Sequence, residues 1–537
     1  MNRATNRIEL PALTADLLNA SGVLIDNVFA SLWRDIGMNT ILSRAGFSKR
    51  SGAPIGEVIF NLMLWLWLKK ESIGMFARDC LLVGMGKDVL YDTMNREDLD
   101  WRGYHRQIAD KTVRTLKASG KKAYVVDDSV LQRFGKKMPG ISSHFDHASG
   151  RHVMGQQVLT LGLSCEEGFV PLDSELFISQ TKAIELHAAF EDGRSIVARR
   201  YRTAQQSTKP EMVKSMVKRA LQAGIMADYL LAAAWFGTKA MIRLTQETAL
   251  VPVLRMKKNK MKYRMTEVVH GETVSRELDI QALYQHSVRK NWESLRGQKY
   301  QAKTLDVELN LAEPKEPAQW VKVRLVFVRG NTGETQATVG KHDWAVFLTT
   351  DIAMSPAEML ELYSMRWAIE VYFKEAKQHL GFLKEQSNHY AAYIASIHLT
   401  AIRFCLLVMA KQTQGYGNIA QARQALCGNS TDISFAGKLW HVFRAVMTGA
   451  LDSLKAVLGD AVVMVMDAID AHIQCWFSQV LQLDTKTLRL EALEINDESI
   501  LCRCDSQLRP GSQRCHGRKA LVRYSGDGSG RYRPAVR

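Results

Sequence analysis

Residues 355–380 read SPAEMLELYSMRWAIEVYFKEAKQHL. The opening is that of a helix: Ser355 can cap, Pro356 suits the first helical position, and Glu358 completes a capping box. No Gly or Pro follows until Gly381, a fit residue to end it. At about 100° per residue, Leu362, Met365, Ile369, Tyr372, Phe373, Ala376 and Leu380 share one apolar face. Tyr363, Arg366, Glu370 and Lys377 form a narrower stripe beside it. One carboxylate therefore sits between an arginine and a lysine at the border of a buried face. Alone, such a Glu–Arg spacing describes a solvated surface pair, so its meaning depends on the rest of the chain.

The chain has 537 residues, 46% hydrophobic and 23% charged, which fits a globular protein of several domains. Seventy-one Lys and Arg against 55 Asp and Glu give a net charge of +16. An excess of this size points to a polyanionic partner, nucleic acid first. The first 18 residues lack the apolar core of a secretory signal. The longest apolar run, Val58–Leu68, is too short to span a bilayer. Eight cysteines in this length make no disulfide framework. The expectation is a protein of a reducing cytoplasm without a membrane partner.

Residues 1–118 read as a helical DNA-binding or dimerisation region, with helical spacing over Thr14–Met38 and Pro54–Lys70 and connections at Ser51–Ile55 and Ile73–Arg78. At Lys121 the pattern changes. Ala123–Val126 (AYVV) is a buried-type strand running into Asp127-Asp128-Ser129. Further strands are expected around Ile141–His147, Gly155–Ser164, Asp228–Phe236 and Leu250–Met256, with helices at Lys209–Ala223 and Thr238–Thr245. This alternation implies an α/β domain with a mixed sheet, built from 119–256 and 351–390. Residues 257–350 read as a β-rich insertion, with strands at Lys303–Asn310, Val321–Arg329 and Trp344–Thr349. Residues 391–500 are expected to be helical, as in Ala391–Lys411 and Phe435–Leu481. Residues 501–537 read as a basic, poorly ordered tail. Its Cys502, Cys504, Cys515 and His516 lack a recognised zinc spacing.

Asp128, at a strand end beside Ser129, is placed to bind a hard cation through oxygen, and Glu370 could supply a second ligand. A strand-end turn or a cap explains Asp128 equally well. The pattern Tyr363-x2-Arg366-x3-Glu370-x6-Lys377 decides the matter, because it resembles the Y-R-E-K signature of cut-and-paste DDE transposases of the insertion sequence 4 family. The resemblance covers residues 120–390 well and the flanks loosely.

That resemblance implies a ribonuclease H-like core in which three acids hold two Mg²⁺ ions, with Mn²⁺ as a substitute. The first acid maps to Asp128, with Asp127 as the alternative, and the third to Glu370. The second should end the strand of Asp228–Phe236, where this chain reads Leu231-Ala232-Ala233-Ala234-Trp235-Phe236, so Ala233 holds its place. Asp228 could serve instead, the chain could be a naturally inactive relative, or an active-site Asp was replaced by Ala. The last is preferred, since every other element is intact.

The resemblance also implies a transposase that binds terminal inverted repeats on double-stranded DNA as a homodimer, cuts through a hairpin intermediate and joins the ends to a target. A nuclease-dead regulator is the alternative. Tyr363, Arg366 and Lys377 would grip phosphates. Lys257, Lys258, Lys260, Lys262 and Arg264 form a basic loop suited to the DNA backbone. Trp235, Trp320 and Trp344 are candidates for stacking on a base, although a core role is commoner for any one tryptophan.

Overall fold

The computed structural model describes residues 32–67, 71–80, 86–135, 137–146, 150–270, 272–288, 292–295, 300–330 and 344–427, with the single positions 29, 461 and 464. The chain divides into two units, Met1–Leu493 and Glu494–Arg537. The second unit, with Cys502, Cys504, Cys515 and His516, lies outside the described residues. So do the helices expected over Phe435–Leu481 and most of Thr14–Met38.

A central sheet organises the first unit. Its strands are β1 (Ala123–Gln132), β2 (Ser142–Asp146), β3 (Arg151–Cys165), β4 (Gly168–Phe177), β5 (Tyr229–Ala232), β6 (Val251–Arg255), β7 (Lys262–Val269), β8 (Glu272–Asp279), β9 (Glu293–Ser294), β10 (Tyr300–Asn310), β11 (Trp320–Gly330) and β12 (Trp344–Thr349). The order along the sheet is β2-β3-β1-β5-β6-β12-β11-β10-β7-β8, with β4 paired to β3 and β9 to β10. β1, β3 and β4 form an antiparallel meander, whereas β5 and β6 run parallel to β1. Parallel neighbours need crossover connections. Helices 196–206 and 209–222 precede β5, and helix 239–247 links it to β6. This mixed α/β arrangement is consistent with a ribonuclease H-like nuclease fold.

The strands after β6 extend the same sheet. β12 returns to pair with β6 through Phe347↔Arg255 and Leu348↔Leu254. Helix 280–288, between β8 and β9, interrupts the strands of this stretch.

β1 lies inside the sheet, between β3 and β5, because its first four residues leave water on both faces. Ala123, Tyr124, Val125 and Val126 are all fully buried. Two β-branched residues in succession suit the pleat. Gly155 on β3 permits a close strand approach, since a Cβ there would lie 2.6 Å from the Leu131 carbonyl oxygen. Helix 390–414 is apolar all round because it is buried all round, as in the middle of a large core. By length and composition it could cross a membrane, yet its most apolar window is 100% buried in the protein.

Several elements depart from the sequence expectations. Ile73–Cys80 is a helix rather than a connection. The expected strand Asp228–Phe236 stops at Ala232 and continues as a 3-10 turn, Ala234–Phe236. β4 and helix 196–206 have no counterpart in the sequence reading. The single helix of 355–380 is two, Pro356–Ser364 and Trp367–His379. At the break the amides of Met365 and Arg366 bond three residues back, to Leu362 and Tyr363, which is 3-10 geometry. The Ser164 hydroxyl on β3 donates to the Met365 carbonyl at 3.0 Å. A side chain from the sheet thus satisfies a carbonyl at the break, and local periodicity carries no sign of it. The capping box is half made: Ser355 accepts from the Glu358 amide, but the Glu358 carboxylate pairs with Lys121 at 2.8 Å. Six of the seven residues on the expected apolar face are buried, and Met365, at the break, is half-buried.

Candidate active site where β5 leaves β1

β5 accompanies β1 as far as the pair Val126↔Ala232 and then turns away. The next residue on β1 is Asp127 and the next after β5 is Ala233, so these two positions are neighbours in parallel register. Ala233 is extended (φ −68°, ψ 167°) and precedes the 3-10 turn without capping it through a side chain.

Asp127 and Asp128 are consecutive in a strand and point to opposite faces. Asp127 faces helix 367–379. Its Oδ2 accepts from Arg366 Nη1 at 2.8 Å, and its Oδ1 accepts from the Asp128 amide at 2.9 Å. The second guanidinium nitrogen of Arg366 donates to Glu370 Oε1. One guanidinium therefore links a β1 carboxylate to a helix carboxylate. Burial pushes the Asp127 carboxyl up to about 6, assisted by the charges of Asp128 and Glu370 and opposed by the Asp128 amide and Arg366. Tyr363 lies under the guanidinium, 5.5 Å from ring centre to Cζ, and packs edge-on to Phe347. Lys377 reaches back to β1, where Nζ donates to the Val130 carbonyl at 3.1 Å. Arg366 and Lys377 thus reach β1, Glu370 is tied to it through Arg366, and Tyr363 packs on Phe347 of β12.

Asp128 belongs to the other face. Its Oδ2 lies 2.7 Å from Lys209 Nζ, and its Oδ1 accepts from Gln157 Nε2 at 2.7 Å. Lys209 opens helix 209–222, whose Thr208–Glu211 capping box is complete. A cation is disfavoured at a helix N-terminus, and this lysine is only 6% exposed. The Asp128 carboxylate offsets both costs. The ammonium also lies 4.3 Å from the Trp235 ring centre and 5.0 Å from that of Phe177. The sequence reading missed Lys209, and only the fold brings it to Asp128.

Asp228 lies at the start of β5, where its carboxylate accepts from the Lys122 amide at 3.1 Å. At about 3.3 Å per residue, it sits some 16 Å along the strand from Ala233. It cannot replace a carboxylate at that position.

The basic loop after β6 lies at the same end of the sheet as Ala233. Lys257 Nζ is 5.3 Å from the Trp235 ring centre, so two lysines flank that indole. Lys258 lies 4.0 Å over Trp344, which also stacks in parallel on Tyr284 at 4.0 Å. Lys260 is exposed. Lys262 pairs with Asp279 at 3.4 Å, and Arg264 pairs with Glu308 and covers Trp320 at 3.9 Å. Trp320 and Trp344 are therefore occupied within the protein, while Trp235 is 37% exposed. An open cleft of about 730 Å³, lined in part by Arg255, Tyr300, Arg329, Trp344 and Tyr363, runs from the β-rich strands to Tyr363.

Residues 76–311 match the family model of the DDE superfamily endonucleases. The match supports a DDE transposase-type family. It includes β1, with Asp127 and Asp128, and the end of β5, and it stops before helix 367–379 with Glu370. No curated protein matches the chain. Endonucleases of the DDE superfamily typically use divalent metals. Among the described residues, no three His, Cys, Asp or Glu side chains group to hold an ion. At this site Asp127 and Glu370 offer oxygens, Arg366 stands between them, and Ala233 offers none. Two divalent ions need more carboxylates than that, so the donor set does not fit the pair of ions that the Y-R-E-K resemblance implies.

Proposed function

We propose that the chain is a DNA transposase that binds the terminal inverted repeats of its element and is disabled for strand cleavage at position 233. The observation that supports this most directly is the convergence of Asp127, Arg366 and Glu370 beside the point where β5 ends and Ala233 follows. An aspartate at 233 would enter the same site and complete three acids on β1, β5 and helix 367–379. On this reading Asp127, rather than Asp128, is the first acid of the set, because Asp128 faces away and is engaged by Lys209.

The remaining residues bind DNA. Arg366 and Lys377 supply cationic donors along the Glu370 helix, and Tyr363 lies beside them at the cleft mouth. Lys257, Lys258 and Lys260 neutralise backbone phosphates on the same side, a sequence-independent contribution. Transposition joins two ends, which favours a homodimer acting on double-stranded transposon ends and target DNA. In the active parent, strand transfer would follow cleavage through a hairpin with Mg²⁺ present, and Trp235 is an exposed indole two residues beyond position 233.

Restoring the acid tests this. Ala233→Asp should yield Mg²⁺-dependent cleavage of terminal-repeat DNA, while the chain as it stands binds that DNA and leaves it intact. Cleavage by the unaltered chain at the rate of the restored one would overturn the assignment of position 233. A second reading rests on the same alanine: a natural regulator that occupies transposon ends without cutting them. Ala233→Asp that binds the ends and remains inert would favour the regulator.

A further inference from the structure

The carboxylate pair of Asp127 and Glu370 is closed in this chain by its own cation. Arg366 Nη1 lies 2.8 Å from Asp127 Oδ2, and Nη2 donates to Glu370 Oε1. The guanidinium bridges an acid from the sheet to an acid on the helix. Three observations make this a built arrangement rather than a surface contact. The Arg366 side chain is only 13% exposed. Its position is set by the 3-10 break at Met365–Arg366, which Ser164 holds from β3. Tyr363 supports the guanidinium face from below at 5.5 Å. Moving Arg366 aside would take from both carboxylates the guanidinium that they share.

We propose that Arg366 serves as a resident substitute for a divalent cation, so that this chain keeps its carboxylate pair assembled, and its DNA-binding surface in place, without a bound metal ion. The proposal rests on Asp127 and Glu370 being the surviving acids of the site, and it assigns Arg366 a role distinct from gripping phosphate. It follows from charge. Two carboxylates and one guanidinium leave a single net negative charge, spread over two groups that already share hydrogen bonds with the arginine. An entering dication would meet the guanidinium at contact distance, where like charges repel strongly in a partly desolvated site.

Manganese binding followed by electron paramagnetic resonance tests this without reference to cleavage. Four proteins are compared: the chain as it stands, Arg366→Gln, Arg366→Lys and Arg366→Gln/Asp127→Asn. The expected result is tighter Mn²⁺ uptake by Arg366→Gln than by the unaltered chain, by roughly tenfold or more. That gain should vanish in the double variant and be absent from Arg366→Lys, which keeps the positive charge. A chain that takes up Mn²⁺ as tightly as Arg366→Gln does would overturn the proposal. So would an Arg366→Gln protein, folded by circular dichroism, that shows no gain. If the glutamine variant does not fold, Glu370→Gln provides the second measurement. It leaves Arg366 on Asp127 alone and should show no more uptake than the unaltered chain; a gain there refutes the proposal. The measurement is separate from the Ala233→Asp cleavage assay. Inert Ala233→Asp protein leaves the Mn²⁺ comparison intact, and equal Mn²⁺ uptake leaves cleavage by the restored protein intact.

Discussion

Lys209→Met removes the ammonium from a site that holds it between one carboxylate and two aromatic rings. Deleting one partner of a buried ion pair costs about 3–5 kcal/mol, because the remaining charge is stranded. Here the Asp128 side chain keeps 18% exposure and its bond from Gln157, so the lower end applies, about 3 kcal/mol. Loss of the two ring contacts adds about 0.5–1 kcal/mol each at most, part of which the methionine thioether recovers. Asp128→Asn should cost a similar amount, since it strands the ammonium instead. In Lys209→Met/Asp128→Asn neither charge is left buried, and neutral replacement of a buried pair is often tolerated. The double variant should therefore be about 2–3 kcal/mol more stable than the sum of the single costs predicts. A chain of 537 residues is unsuited to a two-state analysis of global unfolding. Hydrogen exchange of the amides in 209–216 and 229–237 reports the local opening energy directly. If the two single costs add in the double variant to within about 0.5 kcal/mol, the pair is not coupled and the reasoning fails.

Three further outcomes follow from particular contacts. Burial pushes the His105 imidazole down to about 4, with Nε2 on the Pro171 carbonyl at 2.9 Å and Nδ1 on His398 Nδ1 at 3.2 Å. A histidine held neutral when folded contributes stability that is complete above its unfolded value near 6.5 and is lost as pH falls from there to about 4. The loss is on the order of 3 kcal/mol, so His105→Gln should show a shallower fall in melting temperature between pH 7.5 and 5. Gly155→Ala drives a methyl against the Leu131 carbonyl, and overpacking of this kind costs about 1–3 kcal/mol. Thermal melting and exchange of the β1 amides should both register it. Lys257→Ala/Lys258→Ala should weaken DNA binding alike for all sequences, and the slope of log affinity against log salt should fall by up to about 1.8 if both contact phosphate. Fluorescence anisotropy over a salt series measures it.

Much of the fold was legible where one strong local signal sufficed. The AYVV run gave β1, the helix expected over Thr238–Thr245 is helix 239–247, and Gly381, at φ +78°, ends the Glu370 helix as its flexibility suggests. β4 escaped because Pro171, Asp173 and Glu175 interrupt its apolar pattern. The two acids are tolerated inside because Arg102, Arg200 and Arg219 converge on them from three helices. Helix 196–206 escaped for a related reason: Arg200 is buried on its inner face. The break at Met365 has no Gly or Pro to announce it and depends on Ser164, which lies 201 residues away in sequence. In each case the deciding partner is distant, and periodicity within a window cannot report it.

The choice between Asp127 and Asp128 shows the same limit at the site itself. Adjacent positions in a strand differ only in the face they present, and a shift of register by one residue would exchange them. The serine after Asp128 speaks for Asp128 in sequence terms. Register and partners speak for Asp127. The pair Val126↔Ala232 sets Asp127 beside position 233, and Arg366, 239 residues away in sequence, ties it to Glu370. Lys209, 81 residues away, claims Asp128 on the far face. Two aspartates in succession thus do two jobs because two helices, one on each side of the sheet, each bring a cation to the strand. If this division is right, Asp127→Asn and Asp128→Asn should part company. The first should alter metal uptake in Arg366→Gln protein and leave the exchange of 229–237 unchanged. The second should loosen those amides and leave metal uptake as it was. A pair of variants with the roles reversed would return the first acid to Asp128.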